Sequence, residues 1–218
     1  MRNILIVAGG VVAVAAIAAG VYFGTAPTSP APTPVVAATP NAKALLAALP
    51  TDHVLGDANA PVTIIEYASL TCPHCAAFDV ITLPDLKKKW IDTGKVKLVY
   101  RDFPLDQIAA KAAQIAECAG NERYFGVIDL MFQGQNQWAA ASDPVAELGK
   151  AVRIAGMSEA DVKACLADDK VATAVVADFS GGESIGVNST PTLFINGELY
   201  RGPRTIEDLD GVLGKLVK

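Results

Sequence analysis

Cys72-Pro73-His74-Cys75 is the stretch whose residue types and spacing could do chemistry. Two thiols with two residues between them lie across one helical turn and can cycle between dithiol and disulfide. Val62, Ile64 and Ile65, after Asn59-Ala60-Pro61, read as a strand. Ala76, Ala77, Phe78, Val80, Ile81 and Leu83 then carry helical apolar spacing. The pair therefore falls at a strand-to-helix junction, with Cys72 at the helix N-terminus. Unpaired N–H groups and the positive end of the helix dipole favour a thiolate there. Pro73 at the first helical position gives up a donor that would be unsatisfied anyway. His74, when protonated, adds positive charge beside the sulfur. A stabilised thiolate is a good leaving group and favours the dithiol, which makes the disulfide form oxidising. The expected chemistry is disulfide donation, with Cys72 attacked by a substrate thiol and Cys75 buried as resolving partner.

Glu66, six residues before Cys72, does not belong in an apolar strand. It is either an edge-strand carboxylate facing water or a buried acid beneath the dithiol, exchanging the proton of Cys75 through a water.

With 218 residues the chain suits one well-cored domain plus extra elements. A formal net charge of −5 argues against nucleic acid as a partner. Behind Arg2, an uncharged apolar run from Ile4 to about Phe23 is long enough, at about 30 Å as a helix, to cross the inner membrane. No Lys or Arg follows until Lys43, so the N-terminus stays cytoplasmic and the rest is exported. Residues 1–23 are expected as a retained signal anchor, placing the domain on the periplasmic face. The alternative is a cleaved signal peptide and a soluble periplasmic protein, with Ala18-Ala19-Gly20 as a poor cleavage site. Residues 24–50, with Pro27, Pro30, Pro32, Pro34 and Pro40, read as an Ala/Pro-rich tether. Lys43 to Leu49 within it forms a short helix stopped at Pro50.

The folded domain spans 51–218, starting near Asp52, with Val62 to Tyr67 as its first strand. The active-site helix continues or restarts over Pro84 to Trp90, where Lys87-Lys88-Lys89 is a solvated face. Val96 to Phe103 alternates as a second strand, giving a β-α-β unit with parallel strands. Leu105 to about Phe179 carries helical periodicity only, with helices over Gln107 to Ala119, Glu122 to Phe132, Pro144 to Gly156 behind an Asp143 cap, and Asp169 to Phe179. Ser158-Glu-Ala-Asp161 reads as a capping box. Trp138 is a packed residue or, alternatively, a substrate-groove residue. Asn196-Gly197 between apolar runs marks a hairpin, and Thr205 caps a closing helix to Val217.

Asn59-Ala-Pro-Val-Thr-Ile-Ile-Glu-Tyr, Cys72-Pro-His-Cys75, Arg101-Asp-Phe-Pro-Leu and Ser189-Thr-Pro-Thr-Leu-Phe-Ile-Asn-Gly, with the helical stretch between, resemble the DsbA-like thiol–disulfide oxidoreductases of the thioredoxin superfamily. The resemblance covers about Asp57 to the C-terminus. It implies an α/β thioredoxin fold split by a helical insertion over about 105–179. It implies no cofactor beyond the redox-active Cys72–Cys75 pair, reduced or unfolded exported proteins as substrates, and a membrane redox partner for recycling. Pro191 looks like the family's cis-proline, Thr190 would touch the sulfurs, and Glu66 falls on the family's buried acid. Strong oxidants of the family carry valine where Thr190 stands. Threonine is shared with isomerase and reductase relatives, so a membrane-tethered reductase or isomerase is the alternative.

With Cys72 and Cys75 paired, Cys118 and Cys165 remain, and some relatives carry a second disulfide. The alternative is two separate buried thiols. Bridging them would close a loop of about 48 residues, worth on the order of 4 kcal/mol.

Other readings fare worse. A c-type haem needs histidine where Ala76 stands. A zinc site from Cys72, His74 and Cys75 lacks a fourth ligand, since His53 lies before the strand, so no metal is expected. The Asn188-Ser-Thr190 sequon abuts Pro191 at the active site. A periplasmic chaperone or peptide-binding module is the alternative from another class. No dimerisation segment is evident, so a monomer is expected.

Overall fold

A β-branched apolar segment is best placed where both its edges are paired, and Val62–Ala68 is the central strand of a five-stranded sheet. The computed structural model describes residues 40–217. The expected anchor and the tether up to residue 39 lie outside the described residues. Among the described residues, no helix is long and apolar enough to cross a membrane. The elements run α1 (Pro40–Leu45), β1 (His53–Leu55), β2 (Val62–Ala68), α2 (Pro73–Ala77), α3 (Leu83–Leu86) and β3 (Val96–Asp102). They continue α4 (Gln107–Glu117), α5 (Tyr124–Gln133), α6 (Gln135–Trp138), α7 (Pro144–Val152), α8 (Glu159–Leu166), α9 (Asp169–Ser184), β4 (Thr192–Ile195), β5 (Glu198–Tyr200) and α10 (Ile206–Leu216).

The sheet order is β1-β3-β2-β4-β5. β2 and β3 are parallel, from Val62 opposite Val96 to Ala68 opposite Asp102, as the β-α-β reading requires. β4 is antiparallel to β2, and β1 to β3. One face of the sheet buries Val62, Ile64, Leu98 and Leu193 against α10 through Leu209 and Leu213. The other buries Ile65, Tyr67, Val99 and Phe194. Here α9 approaches so closely that a Cβ on Gly182 would sit 2.9 Å from the Tyr67 ring, so only glycine fits. Asn196 and Gly197 both take left-handed φ values, 49° and 83°, which the two-residue turn between β4 and β5 requires.

Several boundaries differ from the sequence reading. The first strand is His53–Leu55, not Val62 to Tyr67; three residues are too few to show alternation, and pairing with β3 holds them extended. The α1 helix ends at Leu45 instead of reaching Leu49. The active-site helix runs through π turns at Phe78–Thr82 and Lys87–Ile91. α9 runs on to Ser184, past Phe179. The caps appear as read: Asp143 accepts from the Ala146 N–H, Ser158 and Asp161 cap reciprocally, and Thr205 accepts from the Asp208 N–H. Cys118 and Cys165 are disulfide-bonded, Cα atoms 6.0 Å apart, joining the end of α4 to α8. Trp138 is packed, not a groove residue: it is buried and its indole N–H donates to the Met131 carbonyl.

Contacts with the domain begin before Asp52, through one buried cation. Arg101 on β3 donates to Asp52 through Nε and Nη2, to the Leu45 and Ala47 carbonyls, and to the Tyr67 hydroxyl. All five guanidinium donors are used, and both charged side chains are buried. Removing one member would strand the other charge in the interior. Arg101→Met should therefore cost about 3–5 kcal/mol in denaturant unfolding, and Arg101→Met with Asp52→Leu should recover part of that loss. A single variant as stable as the parent would show that the ion pair holds nothing in place.

Candidate active site

The strand-to-turn-to-helix path sets the two sulfurs in different surroundings. β2 ends at Ala68, the Cys72 N–H donates to the Ser69 carbonyl, and the chain enters α2 with Cys72 as N-cap and Pro73 in the first turn. The Cys72 sulfur itself takes the capping role, accepting from the Cys75 N–H at 3.4 Å. The Cys72 thiol in turn donates to the Thr190 carbonyl, also at 3.4 Å. Both cysteines are free thiols in this structure.

Hydrogen bonding from the Cys75 thiol is the largest influence on Cys72. Burial opposes it, while Thr190 and the backbone N–H groups of Cys75 and His74 assist, and the Cys72 thiol is lowered to about 5. The Thr190 hydroxyl has no partner beside the thiol form, so a thiolate is an acceptor it can serve. Cys75 moves the other way: burial first, then its bond to Cys72 and the charge of Glu66, push its thiol up. At neutral pH Cys72 is the thiolate and Cys75 holds its proton.

The His74 imidazole is exposed and lines a groove, and its backbone N–H assists at the Cys72 sulfur. Glu66 is buried on the central strand, not an edge carboxylate in water. Burial first, then the charges of Asp79 and Cys72, hold its carboxyl well above the usual range against a lowering by Arg204. Burial of this kind favours the protonated form of the carboxyl. The Thr190–Pro191 peptide is cis, and both residues border the groove.

That groove, about 530 Å³, runs between α2 and the Thr190–Pro191 turn, with Ile81 as an apolar, largely exposed wall. Arg204 holds the turn by donating to the Pro191 carbonyl at 2.9 Å, while Thr82 donates to the Arg204 carbonyl. The Gln135 side chain, from α6, donates to the Leu70 and Cys72 carbonyls and so pins the turn that presents the nucleophile. Thr71 donates to Asp106, the N-cap of α4. Gln135, Asp106 and Arg204 were not singled out from sequence. Each is a common polar residue whose partner lies far away along the chain. Among the described residues no cluster of His, Cys, Asp and Glu is arranged to hold a metal.

These features have counterparts in known proteins. The Thioredoxin family matches residues 48–215. A Rickettsia bellii chain whose name assigns it to the protein-disulfide oxidoreductases is 32% identical over 151 residues, which are 67% of this chain and 57% of that one. A Rickettsia conorii relative of the same description is 31% identical over 172 residues, 77% and 61% of the two chains. The chain thus spans less than two thirds of these curated relatives. Among solved structures, alpha-DsbA1 of Wolbachia pipientis superposes with a TM-score of 0.75 at 32% identity, over 81% of this chain and 96% of that one. BdbD of Bacillus subtilis shares the fold, with a TM-score of 0.70 at 21% identity over 76% and 92% of the chains.

The lowered thiol fixes a pH window. Stabilisation of the folded dithiol by ionised Cys72 is fully present above the ordinary thiol value of about 8.5 and is lost as pH falls through the folded value. Alkylation of the native dithiol by iodoacetamide should therefore follow one ionisation near pH 5 and label Cys72 alone. A midpoint near about 8.5 would mean the helix terminus leaves the sulfur unperturbed.

Proposed function

The chain belongs to the DsbA-like thiol–disulfide oxidoreductases of the thioredoxin superfamily, and from that premise we propose that it donates the Cys72–Cys75 disulfide to reduced protein substrates. The observation that carries this reading is the asymmetry of the pair: a stabilised thiolate at the helix cap beside a buried, proton-holding partner. A substrate thiolate attacks the Cys72 sulfur of the disulfide, and the bonding pair leaves with Cys75, which is protonated from Glu66. A second substrate thiolate then attacks the substrate sulfur of the mixed disulfide, and Cys72 leaves as the stabilised thiolate.

The groove suits an extended, unfolded segment. The Thr190–Pro191 turn borders the nucleophile, and Ile81 presents exposed apolar surface along the groove. No metal or external cofactor enters the reaction. The apolar run Ile4 to Phe23 supports an exported, membrane-tethered domain facing the periplasm, whose dithiol is reoxidised by a membrane redox partner.

The test is oxidative refolding. The disulfide form, supplied stoichiometrically, should restore activity to a reduced, unfolded disulfide-containing enzyme in proportion to the dithiol it yields, and Cys72→Ala should abolish this. Undiminished recovery with Cys72→Ala would identify a chaperone-like groove and exclude disulfide donation.

A further inference from the structure

A row of buried polar side chains leads away from the dithiol toward the sheet edge, and sulfur exchange as described uses only its first member. Strand register creates it. Glu66 pairs with Tyr100 across the β2–β3 ladder, and Tyr100 pairs with His53 across β3–β1. Residues in register put their side chains on one face, so a carboxyl, a phenol and an imidazole stand in line across three strands. Each carries a buried atom with no hydrogen-bond partner among the described residues: Glu66 Oε1, Tyr100 OH and His53 Nδ1. Buried polar atoms are rarely left unpaired, and three in one row make a setting polar enough for bridging water.

The outer end is anchored. His53 Nε2 donates to Glu117 Oε2 at 3.1 Å, and the ring stacks on Tyr124 with centroids 3.5 Å apart. With Nε2 as donor, the buried Nδ1 is left as an acceptor. The Glu117 side chain is 23% exposed and reaches water.

We propose that Glu66, Tyr100, His53 and Glu117, joined by bridging water, conduct the proton of Cys75 between the buried dithiol and solvent. The proposal rests on the reading of Glu66 as proton acceptor for Cys75 and adds its route out. During reoxidation Cys72 is in a mixed disulfide with the oxidant, itself a disulfide. The Cys75 sulfur attacks Cys72, the Cys72–oxidant bond breaks, and its electron pair leaves as the oxidant's thiolate, which is protonated from water. The Cys75 proton enters the Glu66 carboxyl as that group passes its own to Tyr100. Tyr100 passes one to His53 Nδ1, and His53 releases its Nε2 proton to Glu117. Every member takes one proton as it gives one, so no charge stays in the interior. In the donating direction the sequence reverses.

Other ionisable groups face the row. Asp102 on β3, Asp79 after α2, Asp178 on α9 and Tyr124 on α5 surround Tyr100, His53 and Glu117. Burial first, then Asp102 and Glu66, hold the Tyr100 hydroxyl well above its ordinary value, so it passes a proton only while receiving one. Asp79, buried against exposed Asp129, offers a competing exit.

The experiment follows one turnover of the reduced full chain with oxidised glutathione, using acid quench and mass analysis to separate mixed disulfide from the Cys72–Cys75 disulfide. Tyr100→Phe and His53→Gln should each slow closure of the mixed disulfide about tenfold at neutral pH, less than the roughly 100-fold or more that loss of a general acid–base group itself costs. They should leave the alkylation profile of Cys72 and the final redox equilibrium unchanged, readouts that a general loosening of the fold would move. Two fully folded variants closing at the parent rate would overturn the conduit. If Glu66→Gln still slows closure in that case, only the route is wrong; if it does not, the acceptor role of Glu66 fails as well. Slowing by Asp129→Asn with no effect of Tyr100→Phe would place the exit through Asp79 and overturn the proposal.

Discussion

Two chemically identical thiols, two residues apart, are made unlike by where the helix begins, and the rest of the structure serves that difference. Cys72 caps α2, so its sulfur meets converging N–H donors and a thiol proton; Cys75, one turn in, meets apolar packing and a buried acid. Every group that stabilises the Cys72 thiolate acts only on the dithiol form, because the disulfide carries no charge. The same contacts that lower one thiol therefore set the direction in which the pair transfers electrons.

This arrangement depends on elements that never touch substrate. β2 must be central for Glu66 to be buried, which requires β3 on one side and β4 on the other. β4 also delivers the Thr190–Pro191 turn to the sulfur, and Arg204 fixes that turn from behind. The insertion reaches back through Gln135 to clamp the Cys72 carbonyl. Arg101 serves the opposite face of the sheet, tying the segment before β1 to β3. That in turn holds β1 against β3, with His53 beside Tyr100.

Much of this was legible in the sequence because it is written in local signals. The Cys-x-x-Cys motif, Pro73, the Asn196-Gly197 turn and the caps at Asp143, Ser158 and Thr205 each specify backbone geometry within a few residues. The helical insertion was readable from apolar period. What escaped has its cause far along the chain. β1 is three residues held only by pairing with β3. Arg101 belongs to a local motif, but nothing beside it in the chain reveals its five hydrogen bonds, two of them to Asp52. Gln135 is an ordinary glutamine until α6 folds over the active-site turn. The register that sets Glu66 beside Tyr100 and Tyr100 beside His53 is a property of the assembled sheet. His74 is half legible: its charge is visible in the sequence, whereas the assistance of its backbone N–H at the sulfur follows only from the folded turn.

The central claim is that the helix cap makes the Cys72–Cys75 disulfide oxidising, and the measurement closest to it is the reduction potential of that pair, from equilibration with glutathione buffers of known poise. A lowered Cys72 thiol stabilises the dithiol, so the account predicts a value toward the oxidising end of the range for such pairs, about −120 mV. A value near about −270 mV would contradict it and make the domain a reductant of disulfides.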